Sequence, residues 1–596
     1  MKTKVNKRIF SLVMSIVMVL SLLPAISLKV AAEDSDGTKN SPYRIASYAE
    51  LENVADKIKK AIAEKKDDVY FQLSGSFAAN EGKFNVNSDK TLQYKKPGEE
   101  GFTDIGEGIE GLNEWDPINL KDKSVKVHFD GNKKTITGLY VNSGEGPAGL
   151  FGYLNAGSEV TNLGLIDGCI NGQDQVGSVC GYSEGSVREC HNTGFVVGKS
   201  NVGGLVGENG ENGELSTNYN TGAVSGNDMV GGLVGNNSGT VQICYNTGNV
   251  SGNNKIGGLV GQLGANSTLT ESYSIGNVQV SMTGQGGGVV GNDAGAREFS
   301  NCYFNVDACQ IKNAIGRGSD STNVKGLTTA QMTGKNTDEK RAGSMDGFDF
   351  KGNWSVTGDD TKVSGEQAQY AYYPNLKNNS SERPKIQIYY VSFKGCKDDD
   401  SDKDNIQGSM EDQIFYANVR QSLNRGTFAC SYSFVCWVSE SEKTEYALNE
   451  KHVFSANTTL IAKWDKQAPK VEKVFIGGQY AKFYEYTENS KNQKLSKVKC
   501  NDLQLAIESS DDIGIKKVEY YVEPFADGST IKARKDIESG WCSYEKGRTK
   551  LNVSDGEYIV YINIIDQADK TTFGFTERIS IDTTCLLYTS DAADEE

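Results

Sequence analysis

Gly203-Gly-Leu-Val-Gly207, Gly231-Gly-Leu-Val-Gly235 and Gly257-Gly-Leu-Val-Gly261 repeat one five-residue phrase, with looser copies at Ala148-Gly-Leu-Phe-Gly152, Gly177-Ser-Val-Cys-Gly181 and Gly287-Gly-Val-Val-Gly291. Its closing glycines, Gly152, Gly181, Gly207, Gly235, Gly261 and Gly291, recur every 26 to 30 residues. A second phrase keeps step with the first: Cys190-His-Asn-Thr-Gly194, Asn218-Tyr-Asn-Thr-Gly222, Cys244-Tyr-Asn-Thr-Gly248 and Ser272-Tyr-Ser-Ile-Gly276. Two phrases locked in one period define a single structural unit used six times.

Each unit holds short apolar pairs between glycine and asparagine and no apolar run at helical spacing, so the units are strands and turns. One unit has too few apolar residues for a core of its own. It must stack on its neighbours, with Leu150, Leu205, Leu233 and Leu259 forming a shared interior column. Glycine, including Gly194, Gly222, Gly248 and Gly276, is expected to supply positive φ angles and close backbone approach at the corners. The predicted fold is all-β: a parallel β-helix (β-solenoid) whose six coils, about 4.8 Å apart, span on the order of 29 Å. Leu51, Val54, Ala55, Ile58 and Ile62 lie on one helical face, which predicts a helical N-terminal cap over the open end.

The 596-residue chain carries a net charge of −16 and is too long for one core. Such acidity repels phosphate backbones, so nucleic acid is not an expected partner. Residues 1–32 are basic, then apolar, then small, in the order of a secretory signal peptide; Pro24 and Lys29 interrupt the stretch as a membrane helix, and no other segment is apolar enough to span a bilayer. Residues 585–596 resemble translated library-adapter sequence and are set apart from the fold. The natural chain is therefore expected to run on past Thr584, with any wall anchor there. Eleven cysteines remain after Cys585 is set aside; an odd, scattered set is not a disulfide framework.

Several further phrases carry a family resemblance. Pro42-Tyr-Arg-Ile45, Glu50-Leu51, Trp115-Asp-Pro-Ile118, Phe129-Asp-Gly-Asn132, Ile136-Thr-Gly-Leu139 and Gly149-Leu-Phe-Gly152 resemble the entry to the GLUG-repeat family of bacterial surface proteins. Gly326-Leu-Thr-Thr-Ala-Gln-Met332, Gly347-Phe-Asp-Phe350, Trp354 and Tyr373-Pro-Asn-Leu376 resemble its exit. The resemblance implies an extracellular β-helix at 123–380 behind a cap region at 40–122, of the kind found in adhesin-like proteins and beside the catalytic part of some immunoglobulin A proteases. Residues 385–466, with Tyr389-Tyr-Val-Ser-Phe393, Tyr432-Ser-Phe-Val-Cys-Trp437 and Thr458-Thr-Leu-Ile-Ala-Lys-Trp464, resemble the internalin-type B-repeat, a β-grasp-like module, although Cys436 stands where that family has glycine. Residues 468–584 alternate apolar and polar at Lys517-Val-Glu-Tyr-Tyr-Val522 and Tyr558-Ile-Val-Tyr-Ile-Asn-Ile-Ile565 and suit a β-sandwich. Asp512-Ile-Gly-Ile515 and Asp555-Gly-Glu-Tyr558 there resemble a bacterial Ig-like domain.

The three histidines, His128, His191 and His452, show no metalloprotease spacing, and His191 shares its column with Tyr219, Tyr245 and Tyr273, which marks it for packing. Asp174 and Asp228 sit two coils apart, about 9.6 Å, a separation suited to acid and base roles in a β-helix carbohydrate-active enzyme. Their column, Asp174, Ser200, Asp228, Asn254 and Gly284, is also a series of turn formers, and that reading is preferred. The acidic run at 398–404 lacks the glycine and glutamate of an EF-hand, since Lys403 and Ser409 stand there; a solvated loop is favoured, weak calcium binding is the alternative, and no other cofactor is expected. Cys190, Cys244 and Cys302 share one column at alternate coils, too far apart to cross-link. The expectation is a secreted, cell-surface adhesin or stalk that binds a host or bacterial surface protein or glycan without catalysis. The alternatives are the β-helix enzyme and the non-catalytic front of a larger surface protease.

Overall fold

In the computed structural model the described residues are 35–583, apart from 88, 282–283, 296–297, 319–323, 334–344, 346, 356–368, 380–382, 398–405, 425–426, 430–431, 449 and 512–513. The signal-peptide reading, the adapter-like segment, the acidic run at 398–404 and the first half of the Asp512 phrase therefore fall outside the described residues. The protein is 6% helical and 49% strand, and its first part is a β-solenoid of about 10 turns. The chain divides into two compact units after Ile386.

One coil shows the construction. Asp174–Gly177, Cys180–Ser183, Ser186–Arg188, His191–Asn192 and Phe195–Val197 are five short strands belonging to four sheets. They stack parallel on Ser200–Gly203, Val206–Asn209, Glu214–Ser216, Tyr219–Asn220 and Val224–Ser225 of the next coil. The register keeps like on like: Val202 pairs with Val230 and Val230 with Ile256, while Val206 pairs with Val234 and Val234 with Val260. Leu150, Leu205, Leu233 and Leu259 are all fully buried and belong to one continuous core. Burying an aliphatic side chain stabilises by about 1.5–3 kcal/mol, which a single coil, open above and below, cannot realise.

The solenoid is longer than the six units that carry the glycine phrase. At one end Tyr43–Ile45, Asp68–Leu73 and Lys126–Thr137 are rows of the largest sheet, and at the other Glu298–Asn305 and Val324–Leu327 continue it. The expectation of six coils is thus corrected to about ten turns, on the order of 48 Å. The outer rows lack the phrase because their inward positions are filled by ordinary strand alternation, Val69, Phe71 and Leu73 against Val127 and Phe129.

A second correction concerns glycine. None of the phrase glycines has positive φ; the left-handed positions that recur coil after coil hold Asn162, Glu189, Thr217, Ile243, Glu271 and Asn301 in one series, and Gln175, Asn201, Met229 and Lys255 in another. What the phrase glycines supply is close approach. A Cβ on Gly207, Gly235, Gly261 or Gly291 would overlap the main chain of a strand on another sheet, and one on Gly181 would meet Gln175 and Ala148 backbone atoms. Gly152, at the first phrase, is less tightly hemmed. Gly194, Gly222, Gly248 and Gly276 form a column in which each would strike a backbone carbonyl of the coil before it.

Before Asp68–Leu73 the chain forms two short helices, Tyr48–Glu52 and Val54–Ala63. Ser47 caps the first, accepting from the Glu50 amide at 3.3 Å, while the Glu50 carboxylate accepts from the Ala46 amide at 2.6 Å. Leu51, Val54, Ile58 and Ala61 bury into the solenoid core with Ile62 at its margin. Among the described residues no helix is long and apolar enough to cross a membrane.

In the second unit Lys385–Lys394 lies parallel to Thr458–Asp465, with Ser433–Ser439 antiparallel on the far side of the latter. Val391, Phe393, Phe415, Trp437, Phe454 and Leu460 form the core, and Trp437 is fully buried with its indole N–H donating to the Asn424 carbonyl at 3.2 Å. Beyond it a three-stranded sheet around Lys470–Ile476 and a seven-stranded sheet around Gly556–Asp566 share a second core, with Val474, Ile476, Leu505 and Ile507 meeting Val560, Ile562 and Ile564.

Candidate functional site

The lateral faces of the solenoid are columns of identical or related side chains, and one column stands out. His191, Tyr219, Tyr245, Tyr273 and Tyr303 occupy the same position in five successive coils. Because the backbone fixes the coil spacing, the rings stack: His191 on Tyr219 at 4.7 Å, Tyr219 on Tyr245 at 4.9 Å and Tyr245 on Tyr273 at 5.3 Å. The ladder points outward, and the segment following the last coils covers most of it. Trp354, Phe348, Met332, Met345, Tyr373 and Leu376 pack on it, and the Tyr245 hydroxyl donates to Asn375 Oδ1 at 3.2 Å. Burial drives the Tyr273 phenol well above its ordinary pKa.

The cover ends at Tyr219. Here a groove of about 330 Å³ opens, lined by Ile166, His191, Thr193, Tyr219, Thr221, Arg383 and Lys385. Arg383 and Lys385 are themselves placed over aromatic faces, Arg383 at 4.8 Å from the Tyr372 ring and Lys385 at 4.4 Å from that of Tyr370. Burial pushes the His191 imidazole down to about 4, so at neutral pH it is an uncharged ring in a stack. A weakly basic, stacked imidazole is poorly suited to general-base work near neutrality.

The inner side of the second phrase explains its asparagine. Asn192, Asn220 and Asn246 are buried and joined head to tail, each Nδ2 donating to the next Oδ1 at 2.9 Å. Each also clamps its own Gly194, Gly222 or Gly248, donating to the glycine carbonyl and accepting from its amide. Asparagine is needed because its amide offers both a donor and an acceptor.

The two carboxylates weighed for acid and base roles are held in the same manner. Asp174 Oδ1 accepts from Asn201 Nδ2 at 2.9 Å, and Asp228 Oδ1 from Asn254 Nδ2 at 2.8 Å, each from the coil that follows. Ser200 lies between them in the sheet. Cys190, Cys244 and Cys302 are buried free thiols bonded to carbonyls of their own coils; burial pushes Cys190 and Cys244 up to about 12, far from the range of a reactive thiolate. Among the described residues no group of three or more His, Cys, Asp or Glu is placed to hold a metal ion.

One cluster was missed by sequence reasoning. His128 Nε2 lies 2.8 Å from Asp68 and Nδ1 lies 2.8 Å from Glu159, with the ring stacked on Tyr70 at 4.3 Å. The partners are 60 and 31 residues away, Asp68 in a row before the glycine phrase begins and Glu159 in the first coil that carries it.

No protein-family model matches the chain. It is similar to Halomucin of Haloquadratum walsbyi, 29% identical over 179 residues, which is 30% of this chain and 2% of that protein. The chain therefore spans only a small part of the length of this relative. Fold and columns together define a β-solenoid repeat protein.

Proposed function

We propose that the chain is a secreted, cell-surface repeat protein that works as an adhesin or display stalk and binds a surface protein or glycan without catalysis. The observation that carries this reading is the long lateral surface of about ten turns, in whose phrase-bearing coils related side chains recur in register. Repeated surfaces of this kind bind extended partners through many equivalent contacts. The resemblance to GLUG-repeat surface proteins and the similarity to a stretch of Halomucin agree with it. In this reading the two N-terminal helices and the segment around Trp354 protect the sheet edges of the rod, and the modules after residue 386 serve as spacers.

The test is to incubate the purified protein with arrays of glycans and extracellular proteins and, in parallel, with a panel of polysaccharides assayed for chain cleavage. Retention on an array with no cleavage supports the proposal. Cleavage that disappears in Asp174→Ala or Asp228→Ala, with no retention anywhere, replaces it with the carbohydrate-active enzyme.

A further inference from the structure

After Phe77–Ala78, which still pairs with Lys126–Thr137, the chain leaves the solenoid as an antiparallel insertion, Lys83–Val86 with Leu92–Lys95, and folds against the outside of the solenoid sheet that runs from Tyr140–Asn142 through Phe195–Val197 to Val278–Val280. That sheet presents two outward columns. One runs Tyr140, Cys169, Phe195, Ala223, Asn249, Asn277; the other runs Val197, Ser225, Ser251, Gln279. The insertion anchors on the first three members, Phe84 stacking on Tyr140 at 5.5 Å beside Tyr94 and Cys169 in one buried cluster. Past Phe195 the column steps down to the small Ala223, and the insertion's turn projects over the recess. Lys90 ties it there, donating to the Gly226 carbonyl at 2.9 Å. The result is a groove of about 410 Å³ running along the coils.

Its chemistry is set by the coil register. Asn249 Oδ1 accepts from the Asn277 amide at 3.1 Å, and Asn277 Oδ1 accepts from the Gln310 amide at 2.9 Å. Each carboxamide is thereby fixed with its oxygen used on the backbone and its two N–H donors left for the groove. Ser225 and Ser251 run beside them, while Phe195 and Val197 make an apolar floor at the closed end. Among the described residues no lining side chain is a carboxylate and one is an ammonium, that of Lys90, which gives one hydrogen to the Gly226 carbonyl. A polyanionic chain finds a single cation here, Lys90, for its repeated charges, and an apolar segment would strand the amides, at a cost for each unmet donor. A neutral hydroxyl-rich chain meets both demands, placing hydroxyls on the amides and serines and the flat faces of its rings on Phe195. The amides repeat about every 4.8 Å, which is close to the length of one sugar in an extended chain.

We propose that this hairpin-roofed groove binds a neutral glycan chain laid along the coils. The inference rests on the binding function proposed above and gives it a site and a ligand class. The full chain is compared with the Asn249→Ala/Asn277→Ala double variant, which removes the donor row, and with Ser225→Trp, which fills the groove. All three are applied to an array of neutral, uronate-containing and sialylated glycans, with calorimetry on the best-retained neutral oligosaccharide and thermal melting as the folding control. The expected result is retention of neutral glycans by the unaltered protein and a loss of about tenfold or more in affinity in both variants, with both still folded at the assay temperature. Retention of anionic glycans only, no glycan retention, or retention that survives both substitutions overturns the groove assignment. In those cases a protein partner captured on the extracellular-protein array still leaves the broader binding function standing, whereas no retention on either array removes that as well.

Discussion

His191 lies flat on Tyr219, with ring centroids 4.7 Å apart and planes 3° apart. The stack is the start of the aromatic ladder, and its burial holds the imidazole at about 4 instead of its ordinary 6.5. A base whose pKa is lower in the folded state takes up its proton more readily when unfolded, so its stabilising effect is complete above about 6.5 and is lost as pH falls from there towards 4. The full loss is about 3 kcal/mol, at about 1.4 kcal/mol per unit. His191→Phe keeps a ring in the stack and removes the titration. Urea unfolding at pH 7 and at pH 4.5 should show the variant gaining on the parent at the lower pH; parallel curves would sink the assignment.

The phrase glycines predict a sharp contrast between two alanine substitutions. A Cβ on Gly235 would overlap Asn201 and Val202 main-chain atoms, which the stacked sheets hold in place, while one on Gly144 would have nothing within 4 Å. Gly235→Ala should cost about 3 kcal/mol or more, or abolish soluble expression; Gly144→Ala should change stability by less than about 0.5 kcal/mol. Chemical denaturation of the two variants measures this, and equal effects would mean that the glycines serve conformation after all.

Much of this architecture was legible in the sequence for a simple reason. Leu205, Val206, Asn220 and Gly222 each face the same neighbours in every coil, so physical constraint repeats as text. The outer rows were not legible, because Val69 and Phe71 satisfy the same inward positions without glycine. Nor were the left-handed positions, where Thr217 and Ile243 stand with φ of 60° and 54° because coil stacking outweighs local preference. The hairpin-roofed groove depends on Phe84 and Lys90, in an insertion with no repeat partner, and the His128 cluster on residues brought together only by the rows themselves.

The asparagine ladder should be among the most sensitive parts of the rod. Asn220 donates to Asn246 and to the Gly222 carbonyl at 2.7 Å, and accepts from Asn192 and from the Gly222 amide at 3.2 Å. Asn220→Ala strands these groups in a dry interior, at about 1–3 kcal/mol for each left unmet. A loss of about 3 kcal/mol is expected, read as a lower denaturant midpoint at unchanged slope. Thr221→Ala, on the neighbouring exposed residue, should be near neutral. A loss below about 1 kcal/mol for Asn220→Ala would show that the ladder is dispensable.

In the second unit, Asp465 and Asp566 are both fully buried, and Lys570 Nζ lies 2.9 Å from Asp465 Oδ2. Asp566 Oδ1 accepts from the Ala568 and Lys570 amides at 2.8 and 2.9 Å, but its Oδ2 is buried with no hydrogen-bond partner among the described residues. Burial raises the Asp566 carboxyl above its ordinary 3.8, and the charges of Asp465 and Asp511 push the same way. A carboxyl raised in the folded state keeps its proton longer there, so stability falls as pH rises from about 3.8 through the folded value. Asp566→Asn keeps the Oδ1 acceptor and removes the charge. It should melt higher than the parent at pH 7, with the gap closing below pH 3.8. Lys570→Met does the opposite, leaving Asp465 buried without its counter-ion, at a cost of about 3–5 kcal/mol. Melting both variants across that pH range decides the matter: an Asp566→Asn protein weaker than the parent at pH 7 would mean that the buried charge stabilises this unit.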